Sequence, residues 1–318
     1  MISWLRLIRW SNLLIILLTQ LLVWVCVIRP AGLQSPMGLL LDLKHFTLLS
    51  LSTIFIAAAG YIINDYFDIR IDNINKPDRM ILERKIPRRM AIILHTVLNV
   101  LAILFAALVA RQAGAWSWLI IQLLCTLLLW FYSTHFKRQF LTGNLVVALL
   151  TALTIMVLIV YEPAMHYYAG QEVFIRSETG APLANPIWVL SVYAGFAFLL
   201  TWMREIVKDM EDFKGDEAEG CMTMPIRWGL SKAGSFTQVL SAFALFPLLI
   251  AGIRLIVEKE WALGIYTLLA LVVPLIMWTI FLPKSQTTEH FGKASRYLKL
   301  IMVSGVGSLV IYYLEANA

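Results

Sequence analysis

Charged side chains are scarce in this chain of 318 residues: they make up 14% of it, whereas soluble domains usually carry about 25%. Hydrophobic residues make up 60%. Cysteine is also scarce, since Cys26, Cys125 and Cys221 are far apart and form no CxxC pair. This spacing argues against a disulfide framework and against a cysteine-based zinc site. The composition therefore indicates a membrane protein.

Long apolar runs recur along the whole chain. Runs of about 20 apolar residues are long enough to cross the hydrocarbon core of a bilayer as helices. The nine predicted spans are 9–28, 46–66, 90–110, 115–134, 142–161, 186–206, 234–254, 261–282 and 296–314. They leave little room for a separate soluble domain, so we predict a single all-α polytopic membrane domain over residues 1–318.

Basic residues are unevenly distributed between the two sides of the predicted spans. If successive loops alternate sides, 20 of the 26 Lys and Arg residues share the side of the N-terminus. Cytoplasmic loops are enriched in Lys and Arg, so this asymmetry predicts a cytoplasmic N-terminus in an inner or plasma membrane. The basic residues follow the spans and form no contiguous patch, which argues against a nucleic-acid partner.

Acidic residues are concentrated in two short windows. Five of the 20 lie between positions 65 and 83 and seven between 205 and 219, after the second and sixth predicted spans. Both windows fall on the predicted cytoplasmic side. Each contains three aspartates with the spacing D-x-x-D-x-x-x-D, namely Asp65, Asp68 and Asp72, then Asp209, Asp212 and Asp216.

This repeated spacing points to metal binding. On one continuous helix, three such carboxylates would share a face and repel one another, so helix stability does not favour the pattern. A solvated acidic helix end is the ordinary alternative. Two matched sets on one side of a membrane instead suit Mg²⁺, which one or two carboxylates hold together with substrate phosphates. Six aspartates predict about two or three ions and a diphosphate ligand, whose apolar remainder lies among the helices, as in a prenyl diphosphate.

Basic residues beside both motifs are candidates for binding the diphosphate. They are Lys76, Arg79, Arg204 and Lys208. Arg can bind phosphate oxygens through two parallel hydrogen bonds, and Lys provides a point charge. Since cytoplasmic loops carry basic residues in any case, ordinary topology signals remain the alternative.

At these residues the sequence resembles the UbiA superfamily of intramembrane prenyltransferases. The stretch NDYFDIRID followed by NKPDR is similar to the first aspartate-rich motif of that family, and REIVKDMEDFKGD followed by TMPIRWG is similar to the second. Weaker similarities are RWSN at 9–12, YSTHFK at 132–137, GN at 143–144 and SRYLK at 295–299. Two positions depart from the expected pattern: Met80 stands where Pro is expected and Met224 where Leu is expected.

The resemblance implies nine transmembrane helices around a central cavity, with both motifs at its cytoplasmic mouth beneath a cap of loops. It implies Mg²⁺-dependent transfer of a prenyl group, with Asn64 and the six aspartates as metal ligands and the six aspartates as the catalytic groups. It extends the predicted substrate-binding set to Arg9, Asn12, Asn64, Tyr132, Lys137 and Asn144. Tyr132 and Lys137 could instead anchor the helix at the interface, and Asn144 could instead bond between helices.

The form of both motifs is more similar to the geranylgeranylglyceryl-phosphate, chlorophyll and homogentisate branch than to the 4-hydroxybenzoate branch. We therefore predict that the acceptor is lipophilic and lies among the membrane lipids. The first choice is a glycerol-phosphate lipid, which would be prenylated on a hydroxyl. An aromatic acceptor on a quinone pathway is the alternative. A cation transporter is an alternative of another class, but the acids lie on one side and no central acid is evident in the spans. The oligomeric state does not follow from the sequence.

Overall fold

The structure, a computed structural model, describes residues 2–75, 80–169 and 185–316. Within these ranges, nine helical segments are long and apolar enough to cross a membrane. We label them α1 (Trp10–Gln34), α2 (Leu43–Phe67), α3 (Arg88–Gln112), α4 (Trp116–Thr134), α5 (Thr142–Val160), α6 (Pro186–Glu211), α7 (Leu230–Val257), α8 (Trp261–Lys284) and α9 (Thr288–Ala316). The prediction of an all-α membrane protein with nine spans is confirmed.

Several helices extend beyond their predicted ends. The helix α9 begins at Thr288 rather than 296, and α1 ends at Gln34 rather than 28. Hydropathy identifies only the part of a helix that suits lipid, whereas backbone hydrogen bonds continue the helix into polar sequence. The segment 162–185 between α5 and α6 starts with a short helix over Pro163–Ala169 whose Tyr168 is buried in the core. Residues 170–184 of that segment lie outside the described ranges.

Two spans widen locally just before a proline. Trp24–Ile28 in α1 and Thr267–Val272 in α8 are π-helical, and Pro30 and Pro274 follow them. Proline has no N–H to donate to the preceding turn, and a π-type adjustment lets the remaining backbone groups pair within the membrane. Both helices therefore continue through their prolines.

The end of the bundle opposite to the aspartate motifs is closed by packed side chains. One hydrophobic cluster there joins six of the spans, through residues such as Val27, Phe46 and Leu158. The Trp24 ring stacks on Phe46 at 4.6 Å between ring centroids. The buried Glu162 carboxylate accepts the backbone N–H groups of Leu40, Leu41 and Ala164. Within the described residues, packed side chains therefore fill this end of the bundle.

Both aspartate motifs interrupt their helices at the middle aspartate. The helix α2 ends before Asp68, whose φ and ψ are −90° and 0°, and α6 ends before Asp212, with −93° and 7°. A short helix follows each break: the first motif helix, Ile69–Asn75, and the second motif helix, Phe213–Ala218. Each motif therefore bends across the end of the bundle instead of running along one continuous helical face.

Candidate active site

A cavity of about 750 Å³ opens between these motifs. Six of the nine described spans line it, α1, α2, α4, α5, α6 and α9, and all six aspartates of the two motifs face it. The wall extends along α2 from Asp65 to Thr53, and twelve residues of α-helix correspond to about 18 Å. The walls below the motifs are largely apolar, with residues such as Ile56, Leu129 and Leu150. The cavity therefore combines a charged mouth with an apolar interior.

Asn75 joins the two motif helices across the mouth. Its side-chain Nδ2 donates to the Asp212 carbonyl at 2.9 Å, and its Oδ1 accepts the Gly215 N–H at 2.9 Å. A Cβ on Gly215 would lie 2.4 Å from Asn75 Nδ2, so only glycine allows this approach. These contacts connect positions far apart in sequence and bring the two aspartate sets to one cavity.

Asp68 is the most heavily engaged aspartate of the first motif. It accepts a hydrogen bond of 2.7 Å from Asn64 Nδ2 and forms an ion pair with Lys137. The turn Phe136–Arg138 carries Lys137 and passes so close to Gly143 that a Cβ there would lie 2.8 Å from the Phe136 carbonyl oxygen. Asn64 Oδ1 is buried without a hydrogen-bond partner, and this oxygen suits a hard cation.

The outer aspartates of the two motifs have different partners. Arg9 donates to Asp65 at 2.7 Å and lies over the Tyr61 ring. Asn144 Nδ2 donates to Asp209 at 2.8 Å. Asn144 is not among the residues that line the cavity, so its place in this structure is that of a bond between helices.

Burial raises the pKa of two aspartates on the motif helices. The pKa of Asp72 rises to about 6, mainly through desolvation and then through the charges of Asp68 and Asp65. The pKa of Asp216 rises to about 7, mainly through desolvation, while nearby Lys137 opposes the rise. A bound cation would favour the ionised forms and reverse both shifts.

The acidic side chains alone do not complete a metal site. Among the described residues, no three His, Cys, Asp or Glu groups lie close enough to hold an ion by themselves. Mg²⁺ usually takes only one or two carboxylates and completes its coordination with water and substrate phosphates. The buried, unpartnered Asn64 Oδ1 beside Asp68 fits that donor set. The residues present therefore fit Mg²⁺ together with an anionic ligand.

Most predicted binding residues reach the cavity. Those that line it are Arg9, Asn12, Asn64, Tyr132, Lys137, Arg204 and Lys208. Lys76 and Arg79 lie outside the described residues.

Sequence reasoning missed several residues at this site. Asn75 and Gly215 carry no charge, so no acid or base pattern reveals them. Glu205 was noticed only as one of many acids, yet it is buried and accepts from Arg204 at 2.9 Å and from Lys208 at 3.1 Å. Lys299 belongs to the SRYLK similarity but is not in the predicted binding set, and it also lines the cavity.

Known proteins share this architecture. The model of the UbiA prenyltransferase family matches residues 22–298. Digeranylgeranylglyceryl phosphate synthase from Saccharolobus solfataricus is 31% identical over 87% of this chain and 89% of its own length. A solved structure of a digeranylgeranylglyceryl phosphate synthase is 25% identical, with a TM-score of 0.60, over 99% of this chain and 97% of that one.

A more distant structure has the same fold. A UbiA homologue from Archaeoglobus fulgidus, solved with dimethylallyl diphosphate (DMAPP) and Mg²⁺ bound, has a TM-score of 0.59 at 18% identity, over 97% of this chain and 99% of that one. The family match covers most of the chain and coincides with the two aspartate motifs and their shared cavity. The chain is therefore a membrane-embedded prenyltransferase and belongs to the UbiA prenyltransferase family.

Proposed function

We propose that this protein transfers a prenyl group, geranylgeranyl or one of similar length, from its diphosphate to a hydroxyl of a glycerol-phosphate lipid. The observation that carries the proposal is a single cavity whose mouth holds both aspartate motifs and whose interior is apolar. The relative from Saccharolobus solfataricus supports the glycerol-phosphate acceptor through its name. The homologue from Archaeoglobus fulgidus, with DMAPP and Mg²⁺ bound, supports the donor and the ion.

The length of the cavity suits a donor of about four isoprene units. Each unit spans about 5 Å when extended, because carbon–carbon bonds are about 1.5 Å long. Four units therefore match the roughly 18 Å that helix geometry gives for the wall along α2. A polar pair ends the apolar walls, since Tyr161 donates to Gln122 at 2.9 Å and Gln122 lines the cavity. A longer tail would have to desolvate that pair, which costs free energy.

Different residues of the mouth would have different roles in the reaction. Asn64 and the aspartates would hold Mg²⁺, which when bound neutralises charge on the leaving diphosphate. Further positive charge would face the diphosphate oxygens from Lys137, Arg9 and Lys208, which line the cavity. Tyr132 would help to position C1 of the prenyl group for attack by the acceptor hydroxyl. Met80 and Ile81, which also line the mouth, would limit access of water to the reacting carbon.

We also propose that the mouth faces the cytoplasm and that residues 1–318 form one domain in an inner or plasma membrane. The excess of Lys and Arg on the side of the N-terminus supports this orientation. The motif helices and the N-terminal segment that carries Arg9 lie at the same end of the bundle, since Arg9 pairs with Asp65.

A product assay tests the proposed function. Purified protein in detergent with Mg²⁺ would be incubated with labelled prenyl diphosphates of 10, 15 and 20 carbons. The acceptors would be a prenylglyceryl phosphate, an aromatic acid and homogentisate. We expect a prenylated glyceryl phosphate, made fastest from the 20-carbon donor and identified by mass. Products from the aromatic acceptors alone would overturn the proposed acceptor, and cation flux in liposomes without any prenyl product would overturn the enzyme class.

Substituting Gly215→Ala is expected to lower kcat about tenfold to a hundredfold, because a displacement of about 1 Å in an active site has effects of this size. The added Cβ would meet Asn75 Nδ2 at 2.4 Å. It would thus break the contact that joins the two motif helices, without removing any charged group. Steady-state transfer rates at saturating donor and Mg²⁺ measure the effect.

Gly195→Ala is the matched control for this substitution. Gly195 lies in α6, and a Cβ there would meet no atom within 4 Å. We expect Gly195→Ala to keep the wild-type rate. A Gly215→Ala variant that is equally active would show that the contact with Asn75 does not position the aspartates.

A further inference from the structure

Cations on one side of the cavity outnumber the carboxylates that pair with them. Arg9 and Lys137 are each paired with an aspartate of the first motif. Lys299 of α9 and Arg204 of α6 line the same cavity but are not paired with any motif aspartate among the described residues. This side of the mouth therefore carries positive charge that the aspartate motifs do not neutralise.

Lys299 has only a neutral partner. Its Nζ donates to Asn12 Oδ1 at 2.6 Å, and it forms no ion pair within the described ranges. Lys299 and Arg204 lie on the packed helices α9 and α6 and line the same cavity, so their two positive charges repel each other there. Holding a half-buried ammonium beside another cation is unfavourable unless an anion joins them.

Arg204 has one N–H donor that makes no hydrogen bond among the described residues. Its Nη1 donates to Glu205, but its Nε is buried without a hydrogen-bond partner. Glu205 also accepts from Lys208 at 3.1 Å. The Glu205 carboxylate is thus shared by two cations, Arg204 and Lys208. With Lys299, three positively charged side chains stand against this one carboxylate. Arg suits phosphate because its donors bind two oxygens at once, and a Lys ammonium adds a point charge.

We propose that Lys299 and Arg204 bind the phosphate group of the acceptor lipid, with Asn12 positioning Lys299. This inference rests on the proposed function, because it assigns the phosphate of the glycerol-phosphate acceptor to a site separate from that of the donor diphosphate. Ile15, Ile16 and Met302 line the cavity nearby on α1 and α9, and the chain of the acceptor lies against them. The acceptor hydroxyl then points from this side of the mouth towards C1 of the donor.

Electrostatic repulsion explains why the donor diphosphate and the acceptor phosphate bind at separate sites. The donor diphosphate needs Mg²⁺ and therefore lies at the aspartates. A phosphate monoester on the acceptor would be repelled by those same carboxylates. Placing it at Lys299 and Arg204, away from the aspartate pairs, removes that repulsion and fixes which end of the acceptor enters the mouth.

Kinetics of Lys299→Met in the full-length protein test this assignment. Losing a charged hydrogen bond should raise KM for a prenylglyceryl phosphate at least about tenfold, while KM for the prenyl diphosphate stays within about twofold. Lys299→Arg should recover most of the loss, since it keeps the charge. Lys293→Met is the matched control on the same helix, because Lys293 is exposed and paired with Glu289 at 2.7 Å.

A second experiment compares the same variants on an acceptor alcohol that lacks the phosphate group. Wild-type protein should use it poorly, and Lys299→Met should lower its rate no further, because the lost interaction is already absent. Equal losses on both acceptors would overturn the assignment. A rise in KM for the donor instead would show that these cations bind the diphosphate.

The outcomes separate this inference from the proposed function. An unchanged acceptor KM in Lys299→Met, with wild-type protein still making the prenylated glyceryl phosphate, overturns the subsite and leaves the function standing. Failure of wild-type protein to make that product overturns both. Elution in size-exclusion chromatography and Tm show whether each variant has folded.

Discussion

Replacing Asp68 or Asp212 by Asn is expected to reduce prenyl transfer at least about a thousandfold, since each change removes charge that metal-assisted stabilisation of the leaving group requires. Both residues occupy the helix breaks at the cavity mouth. Asn preserves the size of the side chain and part of its hydrogen bonding, so the loss of charge is the main change. The measurement is kcat at saturating donor, acceptor and Mg²⁺, followed by a Mg²⁺ titration.

The matched control is Glu217→Gln in the second motif helix. Glu217 is exposed, next to Asp216 in the chain, and does not line the cavity. We expect it to keep the wild-type rate, because an exposed carboxylate outside the cavity cannot share an ion with the substrate. Full activity of Asp212→Asn with loss of activity in Asp68→Asn would mean that the first motif suffices. Full activity of both variants would remove the metal hypothesis.

The spans were predictable because they depend on local sequence, and the shared side of the motifs was predictable because it follows from the order of the spans. Apolar runs of sufficient length determine which segments suit a bilayer. Two acidic windows, each after an even-numbered span, must lie on the same side of the membrane. Their shared spacing then predicts a common ligand, and the structure brings all six aspartates to one cavity.

Details that depend on contacts between distant segments were not predictable. The Asn75–Gly215 contact joins uncharged residues from different halves of the chain, so no composition or periodicity reveals it. The breaks at Asp68 and Asp212 were hidden because their spacing also fits one continuous helix. The π-helical turns before Pro30 and Pro274 do not follow from proline alone, since Pro247 lies inside α7 without such a turn. In each case tertiary packing, rather than local preference, selects the geometry.

Replacing Lys137 by Met is expected to lower kcat about a hundredfold to a thousandfold, the usual effect of removing one preorganised charge donor from a leaving group. Burial lowers the pKa of Lys137, but the charge of Asp68, the interaction with Tyr132, the hydrogen bond to Asp68 and the charge of Asp216 together raise it by more, so its pKa lies above the ordinary value. The ammonium is thus fixed in its charged form beside the aspartate that Mg²⁺ would engage. We expect Lys137→Arg to retain much of the activity, because it keeps the charge.

Two further variants separate the part of Lys137 in catalysis from its part in stability. Arg138→Met removes the neighbouring cation, which does not line the cavity, and should leave kcat within about threefold, since surface charges contribute little. Lys137→Met leaves the buried Asp68 carboxylate without its cation, which should lower Tm in the absence of Mg²⁺. Adding Asp68→Asn to Lys137→Met removes that unpaired charge, so Tm should rise again while transfer stays lost. A single Lys137→Met variant with reduced Tm but wild-type kcat would show that Lys137 serves only to hold Asp68, because the leaving diphosphate would then depart equally fast without it.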